Sequence, residues 1–122
     1  MKQKEAAISF MQMVAEGKVR EAYDGFISPD FRHHNQFFKG DRRSLMVAME
    51  ENAQKHPNKT LEIKKILEDA DTVMTLSHVK QHPSELGGAV VHIFRFEKGK
   101  IAELWDLGQE IMADSANENG VF

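Results

Sequence analysis

The stretch VVHIFRFEKGKIAELWDLGQEI, from Val90 to Ile111, decides the fold, because it predicts two antiparallel strands joined by a tight turn. Two polar residues, His92 and Asp106, interrupt the apolar runs near its two ends. Side chains of a strand alternate between the two faces of a sheet, so the register of the hairpin decides whether these two residues meet.

Two registers are possible at the turn. A two-residue loop at Lys98-Gly99 would put His92 and Asp106 on opposite faces of the hairpin. A three-residue loop with Gly99 as a left-handed bulge would pair His92 with Leu104 and leave Asp106 diagonally across on the same face. We favour the three-residue loop, because the shorter one needs a positive φ at Lys98, which Asn or Asp tolerates better.

In the favoured register, one face of the hairpin is apolar apart from the two polar residues, as a pocket lining would be. That face carries Val90, His92, Phe94, Phe96, Ala102, Leu104, Asp106 and Gly108. The other face carries Val91, Ile93, Arg95, Ile101, Glu103, Trp105 and Leu107. An exposed patch around Trp105 predicts a partner surface, most simply that of a homodimer.

The N-terminal half predicts three helices. Their apolar stripes follow helical spacing, and they comprise Ala7, Phe10, Met11 and Val14; Val19, Ala22, Tyr23 and Phe26; and Leu45, Met46, Met49 and Ala53. Gly17 is a natural stop for the first helix and Ser28-Pro29 for the second. Asp41 or Ser44 could cap the third, which Pro57 closes.

After Pro57 the pattern becomes strand-like, with runs at 60–68 and 72–82, and an earlier extended piece covers 30–38. Helices followed by antiparallel strands predict a single α+β domain over residues 1–122, with the helices across the concave face of a curved sheet. Residues 112–122 read as a polar C-terminal tail.

Composition excludes several classes of function. The net charge of −3 argues against a broad electrostatic grip on nucleic acid or on an anionic membrane. There is no cysteine, so disulfides and thiol chemistry are excluded. No signal peptide or membrane span is evident, so we expect a cytoplasmic protein.

The order of elements resembles the cone-shaped fold of nuclear transport factor 2 and ketosteroid isomerase, which is cystatin-like. The last two strands resemble the SnoaL-like polyketide cyclases, through the pattern Val-His-x-x-Arg-x-x-x-Gly-Lys-Ile at 91–101, followed after four intervening residues by the aspartate Asp106. The segment SPDFRHHN, residues 28–35, is similar to a second family motif. The cyclases carry a glutamine where this chain has Val90.

The resemblance implies a cofactor-free enzyme that binds a small hydrophobic carbonyl compound. Asp106 would be the acid/base residue and His92 a pocket histidine, and the reaction would be aldol condensation, cyclisation or isomerisation. The alternatives are a non-catalytic module that binds a hydrophobic ligand, and a dimerisation domain of the same fold.

Further pocket residues are expected from strand alternation and from the resemblance. His33 and Asn35 share one face of their strand and His34 the other, and which face reaches the pocket is open. The remaining candidates for substrate binding are His78, Phe94 and Leu104. No metal site is predicted, because no histidine pair has helical metal-binding spacing with a carboxylate in place.

Overall fold

The computed structural model describes all residues, 1–122, as three helices and one five-stranded sheet. The elements in chain order are α1 (Gln3–Ala15), α2 (Val19–Phe26), β1 (Ile27–His34), α3 (Arg42–Lys55), β2 (Thr60–Asp69), β3 (Thr72–Lys80), β4 (Gly88–Glu97) and β5 (Lys100–Glu110). The strand order is β1-β5-β4-β3-β2, and only β1 and β5 are parallel. The predicted α+β class and mostly antiparallel sheet are confirmed.

Local signals set the helix ends. Gly17 adopts a φ of 87° after α1, and the amide of Lys18 donates to the carbonyl of Met13 at 2.9 Å, which is the Schellman arrangement. Asp41 caps α3, since its carboxylate accepts a hydrogen bond from the backbone amide of Ser44 at 3.0 Å. Of the two predicted caps, Asp41 is therefore the one used.

The core lies between the helices and one face of the sheet. The predicted helical stripes all face it, with Phe10 and Tyr23 nearly completely buried. Phe10 makes edge-to-face contacts with Tyr23 at 5.7 Å and with Phe94 of β4 at 6.2 Å between ring centroids. These contacts fix α1 and α2 against the sheet.

The hairpin between β4 and β5 differs from the favoured register. Its loop has two residues, Lys98 and Gly99, both at positive φ (50° and 77°), as in a type I′ turn. The predicted three-residue loop is therefore wrong. Lys98 accepts the left-handed conformation because a type I′ turn matches the right-handed twist of the two strands.

A bulge in β5 then restores the predicted face. Phe96 pairs with Ile101 and Arg95 with Glu103, so Ala102 is an extra residue without a partner across the hairpin. The extra residue shifts the register between β4 and β5 by one residue, so that His92 pairs with Asp106. Ile101, predicted on the outer face, pairs with Phe96 between the turn and the bulge. The two-residue turn therefore places Ile101 in the core, where it is fully buried.

Candidate functional site

A cavity of about 330 Å³ lies between the helices and the concave face of the sheet. Its walls are α1, α3 and the inner faces of β2 to β5, and thirteen of its eighteen lining residues are hydrophobic. The five polar lining residues are Asn52, Lys59, Gln81, His92 and Asp106. An apolar cavity with a few convergent polar groups is the usual form of a small-molecule site.

His92 and Asp106 pair directly across β4 and β5 and both line this cavity. Their nearest atoms, His92 Nε2 and Asp106 Oδ1, are 3.7 Å apart. That distance is longer than a hydrogen bond, so neither group satisfies the other and both can reach a ligand. The Asp106 side chain is 27% exposed and the His92 side chain 15%.

Asn35 holds the other oxygen of the carboxylate. Its Nδ2 donates a hydrogen bond to Asp106 Oδ2 at 3.1 Å, and its own Oδ1 accepts one from the backbone amide of Phe37 at 2.9 Å. Asn35 follows β1, which runs parallel to β5 and brings the amide alongside Asp106. The carboxylate is thereby oriented with Oδ1 towards His92.

Burial and nearby charges shift the pKa values of two cavity residues, His92 and Lys59. Burial lowers the pKa of His92; the Asp106 carboxylate opposes this effect and the Lys59 ammonium adds to it. Burial also lowers the pKa of Lys59, again partly offset by Asp106. His92 is therefore a neutral imidazole at neutral pH, with one ring nitrogen as a donor and the other as an acceptor.

The two histidines of β1 point in opposite directions, as the alternation requires. His33 faces inward, is 5% exposed and bonds the carbonyl of Lys39 through Nε2 at 2.7 Å. His34 faces outward, where it stacks on Trp105 at 4.8 Å and contacts Glu103 Oε2 through Nε2 at 2.6 Å. Neither lines the cavity.

His78 lies on the outer face of β3, contrary to the expectation that it continues an inner face. The inner face of this strand is formed by Val73, Thr75 and Ser77, all buried. His78 instead bonds the carbonyl of Leu86 at 2.7 Å and packs against the ring of Phe122 at 5.0 Å. The prediction was wrong because it took Met74 and Leu76 as inward residues, whereas they lie on the outer face of β3, Met74 exposed and Leu76 half-buried.

Among the other expected residues, Phe94 and Leu104 do line the cavity. Three polar lining residues, Asn52, Lys59 and Gln81, had no place in the prediction. Asn52 carried a signal, because it continues the apolar stripe of Leu45 and Met49 on α3. Lys59 and Gln81 lie just outside β2 and β3, where no periodic pattern marks them.

On the outer face of the sheet, an apolar row crosses four strands. Leu67, Met74, Ile93 and Trp105 are successive partners across β2, β3, β4 and β5. Leu107, 60% exposed, extends the row into a patch that we call the outer patch. Beside it the Glu103 carboxylate bonds His34 and, at 3.0 Å, Arg95; these contacts lower its pKa, the His34 bond most.

The structure shows neither a metal site nor a membrane-spanning helix. No group of three or more His, Cys, Asp or Glu side chains is arranged to hold a metal ion. None of the three helices combines the length and apolar character that crossing a bilayer requires.

Comparison with known proteins identifies the family. The family model of the SnoaL-like domain matches residues 7–104, which includes His92 and ends just before Asp106. No curated protein matches the chain.

Solved structures share the fold at low sequence identity. An uncharacterised cystatin-fold protein from Novosphingobium aromaticivorans is 19% identical, with a TM-score of 0.74 over 88% of this chain and 98% of that one. An NTF2-like protein of unknown function from Cytophaga hutchinsonii is 14% identical, with a TM-score of 0.73 over 89% and 91%. A candidate polyketide cyclase from Acidithiobacillus ferrooxidans is 17% identical, with a TM-score of 0.69 over 89% and 92%.

The family match covers most of the chain, and the structural neighbours carry the same arrangement of helices on a curved sheet. The chain therefore belongs to the SnoaL-like family of the NTF2-like superfamily, some of whose members are polyketide cyclases.

Proposed function

We propose that the protein is a cofactor-free enzyme that abstracts a proton from the carbon next to a carbonyl group in a small, largely apolar compound. The observation that carries this proposal is the cross-strand pair of Asp106 and His92 in the wall of an apolar cavity. A carboxylate and a neutral imidazole side by side are the two groups that enolate formation needs.

In the proposed reaction, Asp106 accepts the proton from the α-carbon of the substrate. The N–H of His92 donates a hydrogen bond to the carbonyl oxygen and stabilises the negative charge that develops there. Asn35 acts as a positioning residue, because it bonds Asp106 Oδ2 and leaves Oδ1 free on the His92 side. The enolate can then add to a second carbonyl, as in aldol cyclisation, or be reprotonated at another carbon, as in isomerisation.

A non-catalytic binding module would use the same cavity. The apolar walls favour this alternative as much as they favour catalysis, since they would hold a hydrophobic ligand with or without turnover. A dimerisation domain whose cavity is filled by its own side chains is less well supported, because a cavity of about 330 Å³ is open.

Hydrogen–deuterium exchange tests the reaction without knowledge of the natural substrate. 2-Tetralone is an apolar ketone with an acidic α-carbon, and its deuteration in D₂O is followed by proton NMR. We expect the protein to accelerate exchange, and Asp106→Asn to reduce the acceleration by about 10²- to 10⁴-fold, the usual contribution of a general base. Binding of 2-tetralone, measured by NMR shift changes, should stay within about threefold.

Asp114→Asn is the matched control, because Asp114 is an exposed aspartate of the C-terminal tail. It should leave exchange unchanged. Binding of 2-tetralone in the cavity without any acceleration of exchange would favour the non-catalytic module. Equal exchange by the wild type and Asp106→Asn would show that Asp106 is not the base.

We also propose that the protein forms a homodimer through the outer patch. The patch places Met74, Trp105 and Leu107, all partly or largely exposed, on the outer face of the sheet. Ion pairs of Arg95 and Glu103 border it on one side. An apolar centre with a charged rim is typical of a protein–protein interface.

A further inference from the structure

Lys59 is a cation in the cavity wall without an ion-pair partner. Its Nζ takes part in none of the ion pairs of the chain. Nζ donates a single hydrogen bond, to Asn52 Oδ1 at 3.0 Å. An ammonium group has three donors, so two remain for a ligand.

The cavity that Lys59 lines is mostly apolar. Leu61, Val79 and Val90 line the same cavity, and the remaining polar lining residues are His92, Asp106, Gln81 and Asn52. Lys59 is thus the only cation that lines the cavity. A cation in a poorly hydrated site interacts with an anion much more strongly than a surface lysine does.

We infer that the cavity selects compounds that carry an anionic oxygen on an apolar body, and that Lys59 binds this oxygen. The chemical class includes carboxylates, sulfonates and acidic enols. This inference rests on the proposed function only in that both place the ligand in the same cavity; it does not require turnover by Asp106. In an enzymatic reaction, the same contact would hold the acidic end of the substrate and set its orientation towards His92 and Asp106.

Two fluorescent probes with the same hydrocarbon body separate charge from hydrophobicity. 8-Anilinonaphthalene-1-sulfonate carries one sulfonate, and N-phenyl-1-naphthylamine lacks it. We expect Lys59→Gln to weaken binding of the sulfonate probe by about 10- to 100-fold, the usual effect of losing a charge-assisted hydrogen bond. Binding of the neutral probe should change by less than about twofold. Glutamine can still donate to Asn52, so the fold should be retained.

Two further variants sharpen the experiment. Lys65→Gln is the matched control, because Lys65 is an exposed lysine of the adjoining strand, β2, and does not line the cavity. This variant removes the same charge from outside the cavity. It should leave both affinities unchanged. Lys59→Arg keeps the charge and should retain the preference for the sulfonate probe.

NMR shift changes locate each probe, since the outer patch is also apolar. The inference requires both probes to perturb cavity-lining amides such as those of Val90 and Leu104. It is overturned if the sulfonate probe perturbs only the outer patch, if neither probe enters the cavity, or if Lys59→Gln weakens both probes equally. If the wild type does not accelerate exchange of 2-tetralone but Lys59→Gln still weakens only the sulfonate probe, the proposed function alone is contradicted. If exchange is accelerated but Lys59→Gln does not weaken the sulfonate probe selectively, this inference alone is contradicted.

Discussion

At the scale of single residues, the candidate site depends on how His92 is buried. The imidazole lines an apolar cavity, close enough to the Asp106 carboxylate and the Lys59 ammonium for both to affect its pKa. Burial outweighs the attraction of Asp106, so the pKa falls below its ordinary value of about 6.5. This keeps His92 neutral, so that one ring N–H can donate to a carbonyl while the imidazole carries no charge that would form an ion pair with Asp106.

The titration midpoint of His92 should move in opposite directions when the charge of Asp106 or that of Lys59 is removed. By NMR, its midpoint should lie below that of an unfolded histidine. Asp106→Asn should lower the midpoint further, because the carboxylate stabilises the imidazolium, and Lys59→Gln should raise it, because the ammonium destabilises it. A midpoint that moves in the same direction in both variants would contradict this account.

The same shift makes stability depend on pH. Between the lower folded pKa and about 6.5 the unfolded chain binds more protons at His92 than the folded chain. The contribution of His92 to the free energy of unfolding is therefore complete above about pH 6.5. It is lost as the pH falls from about 6.5 through the folded pKa. His92→Gln should show a smaller loss of melting temperature between pH 7 and pH 5 than the wild type does.

At the scale of elements, the hairpin of β4 and β5 is the feature on which the site depends most. Its two-residue turn alone would put His92 and Asp106 on opposite faces, and the bulge at Ala102 brings them back together. The two-residue turn pairs Ile101 with Phe96 and so places Ile101 in the core. Turn and bulge thus act as a pair, and the site needs both.

The turn geometry can be tested by two neighbouring substitutions with opposite effects. Lys98→Asn should stabilise the protein by about 0.5–1 kcal/mol, because asparagine tolerates the positive φ of this position better than lysine does. Gly99→Ala should destabilise it by about 1–2 kcal/mol; a Cβ at Gly99 meets no atom within 4 Å, so the cost is that of the backbone conformation alone. Thermal unfolding measures both, and a neutral Lys98→Asn would favour the three-residue loop instead.

At the scale of the whole molecule, the helices cover only one face of the sheet, and the other face carries the apolar outer patch. The outer patch therefore remains available to a second copy of the chain. We expect the wild type to sediment as a dimer in analytical ultracentrifugation. Leu107→Glu should convert it to a monomer, because it places a carboxylate in the middle of the apolar contact.

Leu86→Glu serves as the control for this experiment. Leu86 is also an exposed leucine, at 50%, but it lies in the loop between β3 and β4 and not on the outer patch. The dimer should survive this change. A monomeric wild type, or equal dissociation of both variants, would rule out the outer patch as the interface.

Much of the architecture followed from periodicity and local signals. The three helical stripes, the cap at Asp41, the stop at Gly17 and the α+β order are all short-range patterns, and all are confirmed. They could be predicted because a helix or a turn is determined by residues close together in sequence. The likeness to the SnoaL-like family also rests on local motifs of β1, β4 and β5.

Only the tertiary structure decided which polar groups meet. The sequence placed His92 and Asp106 on one face, but through the wrong turn, because a bulge is detected only when both strands are seen paired. It could not select His33 over His34 as the inward residue, nor bring Lys59 into the cavity. The physical reason is that these contacts join segments far apart in the chain, and strand pairing and helix packing, not local propensity, set their geometry.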